Sequence, residues 1–223
     1  MDEPQPLQYP GLYGEVVTED VYKLRDLDFE PDLVFDIGAN VGYFTHHVIN
    51  LFPNTFVVAV EPDPTNFAAL IDQIENFPNC VYIPRALGRG SVYRCHNTLT
   101  GPHETYLSEG LGYSWKDFEN DYYTKQEIQC ISLSELFDTH HHPRFKCVVK
   151  LDCEGGENSI ISNQRDTEAL KQADYIAMEL HFFAAHGGKQ KEVDLRTFEW
   201  FGNFRQTHHI TINREFFYAR KKQ

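Results

Sequence analysis

Asp152, Glu154 and Glu157 follow one another at intervals of two and three residues around Gly155-Gly156, and Glu179 and His181 close the next apolar run. Acids and an imidazole grouped this way can take a proton from a hydroxyl, hold a cationic ligand or bind a divalent ion. His181 has the side chain whose ordinary titration lies closest to neutrality. Asp152 is the second contender for a base and could instead hold a ligand's ammonium group. A third possibility is an oxygen-rich metal site of Asp152, Glu179 and Glu154, suited to Mg2+ or Ca2+ acting as a Lewis acid. Glu157 reads equally well as an acid at a helix N-terminus, favoured by the macrodipole.

A second set of residues has the character of a ligand cradle. The apolar run Val34-Phe35 leads into Asp36-Ile37-Gly38-Ala39-Asn40-Val41-Gly42, and about twenty residues later Val57-Val58-Ala59-Val60 ends in Glu61-Pro62. This is the layout of an open α/β sheet that binds a nucleoside-containing cofactor: glycines admit the ligand to the backbone, and the acid on the next strand accepts hydrogen bonds from ribose hydroxyls. The spacing fits a dinucleotide or S-adenosylmethionine. A dinucleotide needs G-x-G-x-x-G to bring its pyrophosphate against a helix N-terminus, whereas here only Gly38 and Gly42 are present, four apart. S-adenosylmethionine brings no phosphate but a sulfonium and an ammonium, which an acid at the strand mouth suits. The candidate cofactor residues are Asp36, Gly38, Ala39, Asn40, Gly42, Glu61, Pro62 and Asp152, with Ala86 and Leu87 flanking an adenine.

The elements that must position these groups can be read along the chain. Strands are expected over Leu33–Ile37, Phe56–Val60, Cys80–Ile83, Cys147–Asp152 and Asp174–Leu180, with helices from about Gly42 to Leu51, Pro64 to Glu75, Leu133 to Asp138 (capped by Ser132) and Val193 to Trp200. Residues 1–30 form an arm with a short helix at Thr18–Leu27. It either lies over the cofactor mouth and acceptor site or is plain packing. Residues 90–130 read as an insertion of strands and loops over the site, with a strand at Ile128–Leu133. Trp115, Phe118, Tyr122 and Tyr123 within it could stack on an acceptor or simply pack. His209–Ile212 and Phe216–Arg220 form a terminal antiparallel hairpin, which separates a methyltransferase sheet from a dinucleotide-binding one. The pairs His46-His47 and His208-His209 and the run His140-His141-His142 read as structural or solvated rather than metal-binding. His186-Gly187-Gly188 could hinge an acceptor-binding loop.

Asp36-x-Gly-Ala-Asn-x-Gly-Tyr-Phe, then Glu61-Pro62-Asp63-Pro64 with Asn66-Phe67, then Ala86-Leu87-Gly88, then Leu151-Asp152-Cys153-Glu154-Gly155-Gly156-Glu157 together resemble the FkbM-type family of S-adenosylmethionine-dependent methyltransferases, from about residue 33 to about residue 182. The resemblance implies a Rossmann-like class I methyltransferase fold: a mostly parallel seven-stranded α/β sheet with helices on both faces. It also implies O-methylation of a hydroxyl on a saccharide, a glycan or a small natural product. Two features depart from the family: Gly156 stands where alanine is usual, and little of the chain lies outside the catalytic core.

Composition fits one soluble domain over 31–223, since 223 residues close one sizeable core. A formal charge of −13 argues against a nucleic-acid backbone as partner. The acidic, Pro-rich start is unlike a signal peptide, and no apolar run has the length of a membrane span. Five cysteines without C-x-x-C spacing read as reduced thiols, so a cytoplasmic location is expected. Two other readings stand beside methyl transfer. One is a non-catalytic S-adenosylmethionine-binding module; the other is a nicotinamide oxidoreductase, disfavoured by the missing third glycine.

Overall fold

A computed structural model describes residues 9–74, 77–97, 105–108, 123–153, 156–179, 199–213 and 216–222; of 91–97, 105–108, 123–126 and 158 it describes the backbone alone. The chain is built on a sheet of β1 (Leu33–Ile37), β2 (Phe56–Val60), β3 (Cys80–Ile83), β8 (Cys147–Leu151), β9 (Tyr175–Glu179), β10 (His208–Asn213) and β11 (Phe216–Lys221). The strand order is β10-β11-β9-β8-β1-β2-β3. Pairing is parallel from β9 through β8, β1 and β2 to β3, while β11 runs antiparallel between β9 and β10. This is the seven-stranded α/β sheet with a C-terminal antiparallel hairpin that the sequence led us to expect. The bounds of β1, β2 and β3 agree with the expected ones to the residue.

The central strands are apolar on both faces because both are covered. Leu33, Phe35 and Ile37 of β1 join one core with Val149, Leu151 and Ile176, closed by α4 (Leu133–His140), α6 (Gln164–Leu170) and the helical turns at 199–204. Val34, Val57, Val148 and Ala177 point the other way, into a core closed by α2 (Tyr43–Leu51), α3 (Pro64–Ile74) and the N-terminal segment. Helix starts follow local chemistry. Asp63 Oδ1 accepts from the Thr65 and Asn66 N–H groups beside Pro64. Ser132 and Glu135 form a reciprocal capping box at α4.

The N-terminal segment departs from expectation. No helix spans Thr18–Leu27: α1 (Pro10–Tyr13) runs into a π-helical turn at Gly14–Thr18, and a 3-10 turn occupies Leu24–Asp26. Asp20 and Lys23 adopt positive φ, which ends helical continuation between them. The insertion is more regular than expected in its described parts. β4 (Ala86–Leu87), β5 (Ser91–Asn97), β6 (Thr105–Ser108) and β7 (Tyr123–Ile131) form a separate sheet in the order β4-β7-β5-β6. Among the described residues, no helix is long and apolar enough to cross a membrane.

Candidate active site

The carboxyl ends of β1, β2, β8 and β9 open into a cavity of about 190 Å³, the place where open α/β sheets bind ligands. Ile37, Gly38 and Asn40 line it from the turn after β1, and Val60, Glu61 and Pro62 from the end of β2. Asp152 and Cys153 follow β8, Glu179 ends β9, and Leu12, Asn66, Arg85 and Leu87 complete the wall.

The turn after β1 is shaped by the close approach of two backbones. Gly38 has φ +79°, and a Cβ placed there would stand 1.7 Å from the Asp152 carbonyl oxygen, so only glycine fits. The Gly38 and Ala39 N–H groups donate to the Val60 carbonyl at 2.9 and 3.0 Å, and Asn40, at φ 51°, donates its N–H to Glu61 Oε2 at 2.8 Å. The other Glu61 oxygen accepts the Asp63 N–H at 2.8 Å. Burial nevertheless dominates and raises the Glu61 carboxyl to about 7.

Asp36 lies behind this wall rather than on it. It is fully buried; Thr45 of α2 donates to its Oδ2 at 2.6 Å, and the ammonium of Lys150 lies 3.3 Å from Oδ1. Asp36 and Lys150 are direct partners across the β1–β8 ladder, and the adjoining positions of the same row are Ala59 and Ala177. These small neighbours leave room over the pair for the rings of Tyr22 and Phe44, whose centroids lie 5.4 and 5.8 Å from the ammonium. Lys150 also donates to the Gly38 carbonyl at 2.5 Å and lies 3.6 Å from Asp152 Oδ2. Burial pulls its proton affinity down, but Asp36 and Asp152 together lift it above the ordinary lysine value.

Of the expected cofactor residues, Gly38, Asn40, Glu61, Pro62, Leu87 and Asp152 meet on the cavity wall. Ala39 is buried in the core beneath α2, Gly42 packs its turn on Leu70, and Ala86 joins Ile128 and Cys130 under the second sheet. Glu157 belongs to the first turn of α5 (Glu157–Ile161), where its Oε1 accepts the Cys153 N–H at 2.9 Å and the thiol at 3.2 Å. It therefore ties the start of α5 to Cys153 beyond the end of β8. Glu154, His181, His186, Trp115, Phe118 and Tyr122 lie outside the described residues, as does the Tyr123 side chain. Asp152 and Glu179 share the cavity, but among the described residues no group of three His, Cys, Asp or Glu side chains could hold a metal ion. His46 and His47 are buried on α2 and bonded to Asn50 and Asp20, as structural histidines would be.

Sequence reasoning missed Lys150, Tyr22 and Arg85. A lysine inside Cys-Val-Val-Lys-Leu was the available signal, because a charge in a buried strand requires a buried partner. Tyr22 donates its hydroxyl to Asp152 Oδ2 at 2.7 Å from a position 130 residues away, and carries no comparable signal.

The cavity thus combines apolar walls from Ile37, Val60 and Leu87 with carboxylates from Glu61, Asp152 and Glu179, a lining suited to a partly flat, hydroxyl-bearing and cationic ligand. Residues 36–211 match the family described as the methyltransferase FkbM domain. The 31-O-demethyl-FK506 methyltransferase FkbM of Streptomyces tacrolimicus is 42% identical over 60 residues, which are 26% of this chain and 23% of that relative. A solved Clostridium thermocellum protein described as a candidate rRNA methylase shares the fold at a TM-score of 0.52 and 11% identity, over 92% of this chain and 95% of that one.

Proposed function

The chain belongs to the methyltransferase FkbM domain family, and from that premise we propose that it moves a methyl group from S-adenosylmethionine to a hydroxyl of a saccharide, a glycan or a small natural product. The observation that carries this reading is the pair of carboxylates, Glu61 and Asp152, on either side of the Gly38 turn in one cavity. Each Glu61 oxygen accepts a backbone N–H, and a carboxylate oxygen has a further lone pair for a ribose hydroxyl. Asp152 would take the ammonium of the methionine portion, and Val60 and Leu87 would flank the adenine. When bound, S-adenosylmethionine supplies an electrophilic methyl carbon on a sulfonium.

The protein's remaining tasks are to hold the acceptor hydroxyl close and to remove its proton. We assign the proton to His181, two residues beyond Glu179 on the cavity wall. Asp152 is the second contender, because its Oδ2 is already engaged by the Tyr22 hydroxyl and the Lys150 ammonium. O-methylation is supported by the name of the Streptomyces relative, a 31-O-demethyl-FK506 methyltransferase. The charge of −13 favours such an acceptor over a nucleic acid.

Calorimetric titration with S-adenosylmethionine and S-adenosylhomocysteine, with NAD as control and with and without Mg2+, tests the reading. Micromolar binding of the two adenosyl ligands alone is expected. A folded sample that binds neither would refute it. Turnover on a saccharide and natural-product panel, lost in His181→Ala while cofactor binding persists, would identify the base.

A further inference from the structure

Tyr22 lies outside the stretch 36–211 that matches the family, yet it reaches the cavity wall. We infer that Tyr22 is a positioning residue: its hydroxyl fixes Asp152 in the orientation that binds the cofactor, so the N-terminal segment completes the site. The inference rests on the cofactor assignment above and adds to it a residue and a segment.

The geometry around Tyr22 is that of a held donor. The ring is 3% exposed and meets Phe44 and Phe216 edge-on at 5.2 and 5.8 Å. The backbone carrying it is pinned by two phenols from the sheet: Tyr218 donates to the Val21 carbonyl at 2.6 Å, and Tyr175 to the Tyr22 carbonyl at 3.1 Å. Asp20 closes the turn by accepting the Leu24 and Arg25 N–H groups at 3.0 and 2.9 Å. Burial, and then the neighbouring Asp152, push the Tyr22 phenol well above its ordinary titration, so it remains a donor throughout the working range. Asp152, by contrast, keeps a side chain about one-quarter exposed to the cavity. Ring packing alone would be served equally well by phenylalanine; what the hydroxyl adds is directed at Asp152.

The test is a double-mutant cycle on S-adenosylhomocysteine binding with Tyr22→Phe, Asp152→Asn and both together, each checked by circular dichroism and thermal melting. Tyr22→Phe should fold and weaken binding about tenfold, the scale of a lost hydrogen bond to a charged group. In the Asp152→Asn background the same change should have little further effect. An equal loss in both backgrounds would overturn the inference, as would unaltered binding by Tyr22→Phe at every pH. Failure of Tyr22→Phe to fold would also overturn it, since a hydroxyl that only orients Asp152 is dispensable for the core. A wild-type protein that binds no adenosyl ligand would instead refute the cofactor assignment itself.

Discussion

The Lys150 ammonium lies 3.3 Å from Asp36 Oδ1 and 2.5 Å from the Gly38 carbonyl oxygen, so one buried cation ties the centre of the sheet to the glycine turn at its edge. Both side chains are almost wholly buried, and removing either strands the other charge away from water. Asp36→Asn and Lys150→Met should each cost about 3–5 kcal/mol, a fall of roughly 10 °C in Tm for a domain of this size. The paired replacement Asp36→Asn with Lys150→Met should cost less than the sum of the single changes. Urea denaturation of the four proteins measures this, and strict additivity would contradict the pairing.

Gly38 and Gly90 share a positive φ but not their surroundings. A Cβ at Gly38 would overlap the Asp152 carbonyl, whereas nothing lies within 4 Å of one at Gly90. Gly90→Ala should therefore carry only the left-handed backbone penalty of about 1–2 kcal/mol and retain S-adenosylhomocysteine binding. Gly38→Ala should cost clearly more and abolish binding. Equal melting temperatures for the two variants would contradict the close approach.

The half of the cavity wall that follows β1 and β2 was legible because it is local in sequence. Leu33–Ile37, Gly38, Asn40 and Glu61 declare themselves by apolar runs that end in glycine and acid. The groups that steady the cavity were not legible, because they depend on register and on remote packing. Asp36 reads as an acid at a strand mouth, and only the β1–β8 ladder shows it opposite Lys150, 114 residues away. The helix expected over Thr18–Leu27 fails because Asp20 uses its carboxylate to close a turn on Leu24 and Arg25, chemistry that competes directly with helix formation. Glu157 was correctly suspected as a helix N-terminal acid; its thiol and N–H donors at Cys153 could not be seen in the spacing.

Glu61 should make cofactor binding proton-linked. Its carboxyl titrates near 7 when folded, against 4.5 unperturbed, so the folded chain binds more protons between those values. The group's contribution to stability accordingly falls as pH rises from about 4.5 to about 7 and is constant above. Ribose hydroxyls donating to the ionised form would reverse the shift, so S-adenosylhomocysteine should bind more tightly as pH rises towards 7, by at most about tenfold per unit. Calorimetry at pH 6 in two buffers of different ionisation enthalpy should detect release of up to one proton. Identical heats in both would show that the ligand's hydroxyls do not reach Glu61.

Glycine at position 156 has a packing reason in Cys153. A Cβ at 156 would meet Cys153 Sγ at 2.9 Å and Leu87 Cβ at 3.4 Å, so the sulfur already fills the space an alanine methyl would take. That sulfur is itself held, donating to Glu157 Oε1 at 3.2 Å, and cannot simply swing aside. Gly156→Ala alone should cost about 1–3 kcal/mol through overpacking. Cys153→Ala alone should also destabilise, because it opens a small void in a buried position. Combined, the two changes exchange one volume for the other while the Cys153 N–H bond to Glu157 is retained, so the double variant should be more stable than Gly156→Ala. Chemical denaturation of the three variants decides it: additive losses would mean that the Leu87 contact, rather than the sulfur, sets the requirement for glycine.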